Sequence, residues 1–433
     1  MKRMESRSLK SARNIFTGVI SKLLTMLLAF ITRTIFIRML GVEYNGINGL
    51  YSNILSILAL SELGIGNVLN YTLYRALQKH DEKRINALVF YFKKIYRIIA
   101  FAVLGVGLLL VPILPYIVNS DFPQEEVVTY YILYLLNSVV SYFVVYKTTV
   151  IVADQNNYIS SICETVTTML MYVFQVIYLL AKRDFWGYLV IQVLCMVLRN
   201  VILNAIANRK YPYLKHLDPK NQIGAEDKRY LFDNIKATFL YKLAGVIVNN
   251  TDNLLISIIV GTVFVGYYSN YSMIISYIAS FVSIFITGIT ASLGNLNAED
   301  NEKKSYETFQ GMVLVFSFIG AVVSSCLVNC LQGFIAVWIG DEHVMPMSWV
   351  IVIVLNNYLS EVMSPIWMFR ETMGLFQQVK YVLLVTAGLN IVLSIALGIP
   401  FGVPGILFAT ALSKLMYQYW YEPKLLFHLK FKK

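Results

Sequence analysis

Long continuous apolar stretches recur along this chain from Ile15 to Trp420, separated by short polar intervals that carry most of the charge. Each stretch is near the ~20 residues a helix needs to cross ~30 Å of hydrocarbon. In that medium only helices and closed barrels satisfy their own backbone. The stretches are rich in Leu, Ile, Val and Phe and lack the roughly ten-residue alternation of a barrel strand, so the expected fold is all-α. The pattern predicts about twelve spans, at 14–38, 46–74, 95–118, 127–152, 158–181, 185–207, 231–260, 264–294, 308–330, 347–369, 378–399 and 403–421.

Composition agrees: 57% of the 433 residues are hydrophobic and 14% charged, roughly half the charge of a soluble chain. Lys2, Arg3, Arg7, Lys10 and Arg13 resemble the basic flank of a signal sequence, but the apolar run behind them is too long and ends in no small-residue cleavage site. A retained first helix is expected. Cys163, Cys195, Cys326 and Cys330 all fall inside expected spans, where they act as small apolar residues rather than as disulfide or metal ligands.

Basic residues test the count, because cytoplasmic loops retain Lys and Arg. Taking alternate loops as internal, the N-terminus, the Arg75 to Arg97 region, Lys147, the Arg209 to Arg229 loop, Lys303 and Lys304, Arg370 and Lys380, and the tail from Lys424 hold 27 of 36 basic residues. The opposite loops carry Lys182 and Arg183 beside acidic residues such as Asp121, Glu125, Glu126, Asp341 and Glu342. Both termini are therefore expected in the cytoplasm. The net charge of +11 reflects topology and attraction to anionic headgroups, not nucleic acid.

A shift of 220 residues pairs Asn14 with Asn234, Lys22 with Lys242, Gly41 with Gly261, Gly46 with Gly266, Tyr51 with Tyr271 and Ser52 with Ser272. Apolar composition alone does not readily match glycine, lysine and asparagine together. Six spans per half make the repeat parallel, so two six-helix bundles related by a pseudo-two-fold along the membrane normal are expected. The first would occupy 1–207 and the second 231–433, joined by a cytoplasmic linker at 208–230.

Charges inside spans cost at least ~2.5 kcal/mol each and so face a cavity or a partner. Lys22, Arg33, Arg199, Lys236, Lys242 and Lys414 are of this kind, with Lys236 close enough to an interface to snorkel. Lys22 and Arg33 are eleven residues apart, about 20° from eclipsed on one helical face. Lys242, Asn249 and Asn253 repeat the stripe in the second half. A stripe of this kind suits a phosphate or pyrophosphate; the alternative is internal ion pairing, for instance of Lys22 or Arg33 with Glu62. Glu62, Asp252 and Glu361 are the acidic candidates for gating or ion coupling, the first in a glycine-rich segment and the last one turn before Pro365.

The run Leu40-Gly41-Val42-Glu43-Tyr44-Asn45-Gly46-Ile47-Asn48-Gly49-Leu50, with Glu62-Leu63-Gly64-Ile65-Gly66, resembles the start of bacterial polysaccharide transporters. Phe369-Arg370-Glu371-Thr372-Met373-Gly374 and Gly405-Ile406-Leu407-Phe408-Ala409-Thr410 resemble the same family further on. These are the Wzx-type repeat-unit flippases for capsule, exopolysaccharide and O-antigen, in the MOP superfamily that also holds MATE exporters and lipid II flippases. The resemblance implies alternating access and a cationic cavity for an undecaprenyl-pyrophosphate-linked oligosaccharide. Substrate-binding candidates are Lys22, Arg33, Arg199, Lys242, Asn249 and Asn253.

No cofactor, metal or catalytic residue is expected, and without a phosphate-binding loop the energy must come from proton or sodium coupling or from product consumption. The nearest rival is a cation-coupled multidrug exporter, which favours carboxylates in an apolar cavity. A membrane-embedded polysaccharide polymerase or glycosyltransferase needs a sizeable external loop with an acid and base pair, and the external loops here are short. The expected setting is a monomer in the bacterial cytoplasmic membrane, working beside a polysaccharide polymerase and a chain-length regulator.

Overall fold

The computed structural model describes residues 7–59, 65–218, 223–224, 228–229, 231–232, 243, 245–246, 250–298 and 302–431. Among them there is no strand. The helices are α1 (Arg7–Leu40), α2 (Val42–Leu58), α3 (Ile65–Gln78), α4 (Glu82–Leu109), α5 (Gln124–Ser141), α6 (Val145–Ala153), α7 (Asn157–Lys182) and α8 (Phe185–Lys210). After a helical segment at 250–259 come α9 (Thr262–Ala298), α10 (Glu302–Ile339), α11 (Met347–Thr372), α12 (Phe376–Ser413) and α13 (Tyr419–Leu426). The protein is an all-α, multi-pass membrane protein.

Among the described residues seven helices are long and apolar enough to cross a bilayer, or eight when α5 and α6 are taken as one span bent by 45°. Of the expected twelve, the span at 264–294 is present as α9 but is not one of these seven or eight; the other three differences have identifiable reasons. The span expected at 46–74 is divided between α2 and α3, each shorter than a crossing. The span expected at 231–260 lies largely outside the described residues. The spans expected at 378–399 and 403–421 are counted as one run of 51 residues, about 77 Å if straight. That run turns at Gly402 (φ 63°, ψ −141°) between Pro400 and Pro404, and the two arms close on one another: a Cβ on Gly405 would strike the Leu397 carbonyl and one on Gly398 the Ile406 side chain.

The third span starts earlier than expected. Helix α4 begins at Glu82, capped by the Asp81 carboxylate accepting from the Arg84 amide at 3.0 Å, and carries Lys93, Lys94 and Arg97 before its apolar part.

The chain forms two compact units. The first comprises Met1–Gly41, Leu55–Pro115 and Asp121–Phe239; the second comprises Val42–Ile54, Tyr116–Ser120 and Leu240–Lys433. Two segments that the sequence assigns to the first bundle thus group with the second unit.

The repeat is visible in backbone conformation. Gly41 and Gly261, 220 residues apart, both take positive φ (97° and 138°) immediately before α2 and α9, a conformation that requires glycine. Within the second unit α2 and α9 cross so closely that a Cβ on Gly46 would collide with the Thr262 carbonyl, and one on Gly266 with the Val42 carbonyl. Gly49 likewise abuts Ser269. Repeat-equivalent positions therefore face each other at the crossing. Asn45 locks it, donating to the Gly266 carbonyl at 2.8 Å and to Asn270 Oδ1 at 3.0 Å. Tyr51 and Tyr271 are both fully buried, and the Tyr271 hydroxyl accepts from the Met345 amide.

Candidate substrate and coupling sites

In the first unit α1 packs against α7 and α8 through aromatic edges, with Phe36 5.6 Å from Phe185 and 5.0 Å from Tyr188. Arg33, one turn before Phe36, acts electrostatically on Tyr172 and Tyr188. Lys22 lies three turns back, about 16 Å along the same half-buried face of α1. Among the described residues no carboxylate comes within 4.0 Å of the Lys22 ammonium.

Arg199 on α8 is placed differently. Its guanidinium meets Glu164 of α7 at 3.1 Å, with the arginine mostly buried and the glutamate half exposed. Arg199 borders a cavity of about 160 Å³ lined also by Asn137, Thr167, Thr168 and Gln192 and by the apolar Met171, Cys195 and Met196. Asn137 Oδ1 is buried there and has no hydrogen-bond partner among the described residues. Hydroxyls, amides and one partly neutralised guanidinium make this a site of paired donors and acceptors, the chemistry that sugar hydroxyls match.

Next to it α8 carries Asn200, Asn204 and Asn208 at a spacing of four, on one face. Asn200 donates to the Val140 carbonyl at 2.6 Å, in the last turn of α5 before the bend into α6, where the same oxygen also accepts from the Phe143 amide at 3.2 Å. Asn204 and Asn208 each accept from the Lys147 ammonium at 2.7 Å. The loop charge expected at Lys147 is therefore corrected: the residue is 6% exposed, because the bend of α6 carries it onto this amide stripe.

The second unit is organised around acids. Asp252 is buried and accepts from Thr410 Oγ1 at 3.0 Å and 3.2 Å through its two oxygens. Thr410 in turn accepts from Asn390 Nδ2 at 2.9 Å, and Asn390 Oδ1 accepts from Thr251 at 3.2 Å. Lys414, one turn beyond Thr410, acts electrostatically on Asp252. Asn253 is half-buried, with an Oδ1 that has no partner among the described residues. Glu361 is 6% exposed; its Oε2 also has none, and its Cβ packs against Gly320. Glu62, Lys236, Lys242 and Asn249 lie outside the described residues, so the symmetry-related lysine stripe is seen only in its first half.

Arg370 is another charge expected in a loop that the structure buries, at 7% exposure. Its Nη1 donates to both oxygens of Glu422 at 2.9 Å, and Gln418 Nε2 adds a third bond at 3.0 Å. Neither this pair nor the contact of Asp252 with Thr410 is signalled by helical periodicity, since the partners are 52 and 158 residues apart in sequence.

An inward-facing multidrug resistance transporter of the MATE family aligns over 96% of this chain and 99% of its own, with TM-score 0.66 and 12% identity. The lipid II flippase MurJ in an inward closed conformation aligns over 95% of this chain and 87% of its own, with TM-score 0.67 and 13% identity. A MATE transporter of Vibrio cholerae, VcmN in its bent form, aligns over 98% of both chains with TM-score 0.60 and 13% identity. No curated protein matches the chain. The order of helices is the fold that these structures share. The profile of the polysaccharide biosynthesis protein family matches residues 11–290, and the chain belongs to that family.

Proposed function

We propose that this protein flips an undecaprenyl-pyrophosphate-linked oligosaccharide repeat unit across the bacterial cytoplasmic membrane, for capsule, exopolysaccharide or O-antigen assembly. The observation that carries the reading is the set of polar side chains gathered at the cavity of the first unit. Asn137, Thr167, Thr168, Gln192 and Arg199 offer an oligosaccharide donors and acceptors inside a span, where a hydrophobic drug needs none. Lys22, with no carboxylate beside it among the described residues, supplies charge for the pyrophosphate. Asp252 and Glu361 are the groups through which a proton or sodium gradient drives alternating access; bound to a cation, either carboxylate is neutralised inside the unit that holds it.

A cation-coupled drug exporter is the second reading, supported by the unpartnered oxygen of Glu361. The two separate in proteoliposomes loaded on one leaflet with a lipid-linked oligosaccharide. Lys22→Gln combined with Arg199→Gln is expected to slow its transfer at least about tenfold, one lost charge-assisted contact being worth that much. Transfer at the unaltered rate by normally folded protein, together with gradient-driven efflux of a cationic dye, assigns the chain to drug export.

A further inference from the structure

A second cationic locus lies in the first unit, further along α8 from Arg199 and the residues that line its cavity. Lys93 and Arg97 sit one turn apart on α4, a like-charged pair that by itself weakens a helix by about 0.2–0.5 kcal/mol. Lys147 of α6 comes to the same place. The Lys93 and Lys147 ammonium groups each lie 6.0 Å from the centroid of the Tyr146 ring, and Arg97 acts electrostatically on both Tyr146 and Lys93. Lys93 likewise acts on Lys147. Among the described residues no carboxylate stands within 4.0 Å of any of the three cations.

The way Lys147 is held shows what this arrangement favours. Two of its three donors are taken by Asn204 and Asn208, which are neutral. Amide oxygens orient an ammonium without cancelling its charge, whereas a carboxylate does both. Three helices, α4, α6 and α8, thus spend a like-charge repulsion to hold one oriented lysine beside two more mobile cations around a single ring. That repulsion is relieved by an anion with several acceptor oxygens. The depth is that of a headgroup: Lys93 and Arg97 stand at the start of the apolar part of α4, and Lys147 is seven residues, about 10 Å, from the Asp154 turn that ends α6.

The geometry points to a binding site for the phosphate group of a membrane lipid, built from Lys93, Arg97 and Lys147 around Tyr146. Two lipids bring that chemistry: the pyrophosphate of a polyprenyl carrier, waiting at the membrane surface before translocation, and an anionic phospholipid. The first source rests on the flippase reading; the site itself does not.

Photo-crosslinking of the full chain in nanodiscs tests the proposal, with a benzophenone-bearing farnesyl pyrophosphate as probe and labelled peptides mapped by mass spectrometry. Label is expected on peptides from α4 and α6, and Lys93→Gln with Arg97→Gln should lower it about tenfold. The charge-preserving Lys93→Arg with Arg97→Lys should restore it, which separates loss of charge from loss of fold. Lys22→Gln, which tests the transport reading, should leave this label unchanged. Label that resists excess phosphatidylglycerol identifies the polyprenyl pyrophosphate as occupant; label displaced by it identifies a phospholipid, and the phosphate site stands in either case. Equal labelling of α4 and α6 peptides in the charge-neutral variant, or no label there in the parent protein, overturns it.

Discussion

Lys147 in the first unit and Arg370 in the second are buried to the same degree, yet their surroundings differ in kind. Lys147 is gripped by two asparagines, Arg370 by the carboxylate of Glu422 with Gln418 behind it. The same contrast runs through both units. In the first, Lys22, Lys93, Arg97 and Lys147 have no carboxylate within 4.0 Å among the described residues, and Arg199 meets one that is half exposed. In the second, Asp252 and Glu361 are buried carboxylates, hydrogen-bonded or bare, and the buried Arg370 is paired with Glu422. Among the described residues, then, the first unit holds cations without close carboxylates and the second holds buried carboxylates that are hydrogen-bonded or bare. Exposed ion pairs carry no such meaning, being worth little.

The largest expected effect follows from the Arg370 pair. Arg370→Met leaves the Glu422 carboxylate buried without its cation and should destabilise the protein by about 3–5 kcal/mol. Adding Glu422→Leu should return most of that loss, because the uncompensated charge goes with it. Lys147→Met leaves only two amide oxygens without a donor, a cost of about 1–3 kcal/mol. Thermal unfolding in detergent ranks the three. If Lys147→Met proves as damaging as Arg370→Met, the lysine is a structural strut and the contrast between the units fails.

A smaller effect is expected where the repeats use the same residue in the same way. Gly46→Ala and Gly266→Ala each drive a Cβ into a backbone carbonyl that cannot rotate away, Thr262 for the first and Val42 for the second. Each should cost about 1–3 kcal/mol by overpacking, and by similar amounts, since the contacts are reciprocal. The double variant should be less than additive, because one separation of α2 from α9 relieves both clashes. Full additivity in the melting temperature would mean that the two glycines do not share one crossing.

Much of this architecture could be read from the chain. Continuous apolar runs fixed the fold class, and the glycine pairs at offset 220 proved to be positions of shared backbone conformation and mutual contact, as Gly41 with Gly261 and Gly46 with Gly266 show. The break at Gly402 was legible from its two flanking prolines. What escaped were features made by tertiary partners. The bend between α5 and α6 has no glycine or proline within it; it is held by Asn200 of α8. Lys147 and Arg370 read as loop charges because hydropathy averages over a window and cannot see an asparagine stripe or a glutamate 52 residues away. Asp252 and Glu361 were found as isolated carboxylates, but the Thr410 and Asn390 relay around Asp252 depends on helices 138 and more residues distant.

The smallest effect concerns a third way of burying a titratable group, with neither amide nor full ion pair. His343 lies in the short turn between α10 and α11, its ring 5.8 Å from that of Tyr267 and its Nε2 3.7 Å from Glu342. Burial lowers its pKa from the ordinary 6.5, and the nearby Glu342 carboxylate, which acts in the opposite sense, is too exposed and too distant to reverse this. A histidine held more acidic in the folded chain favours the neutral form there, so the unfolded chain binds the extra proton first. Stability from this group is therefore complete above pH 6.5 and declines as pH falls below it, through the lowered folded value. His343→Phe should flatten that part of the melting-temperature profile while leaving the plateau above pH 7 little changed. If the variant and the parent lose stability in parallel on acidification, other groups titrate there and His343 is merely packed.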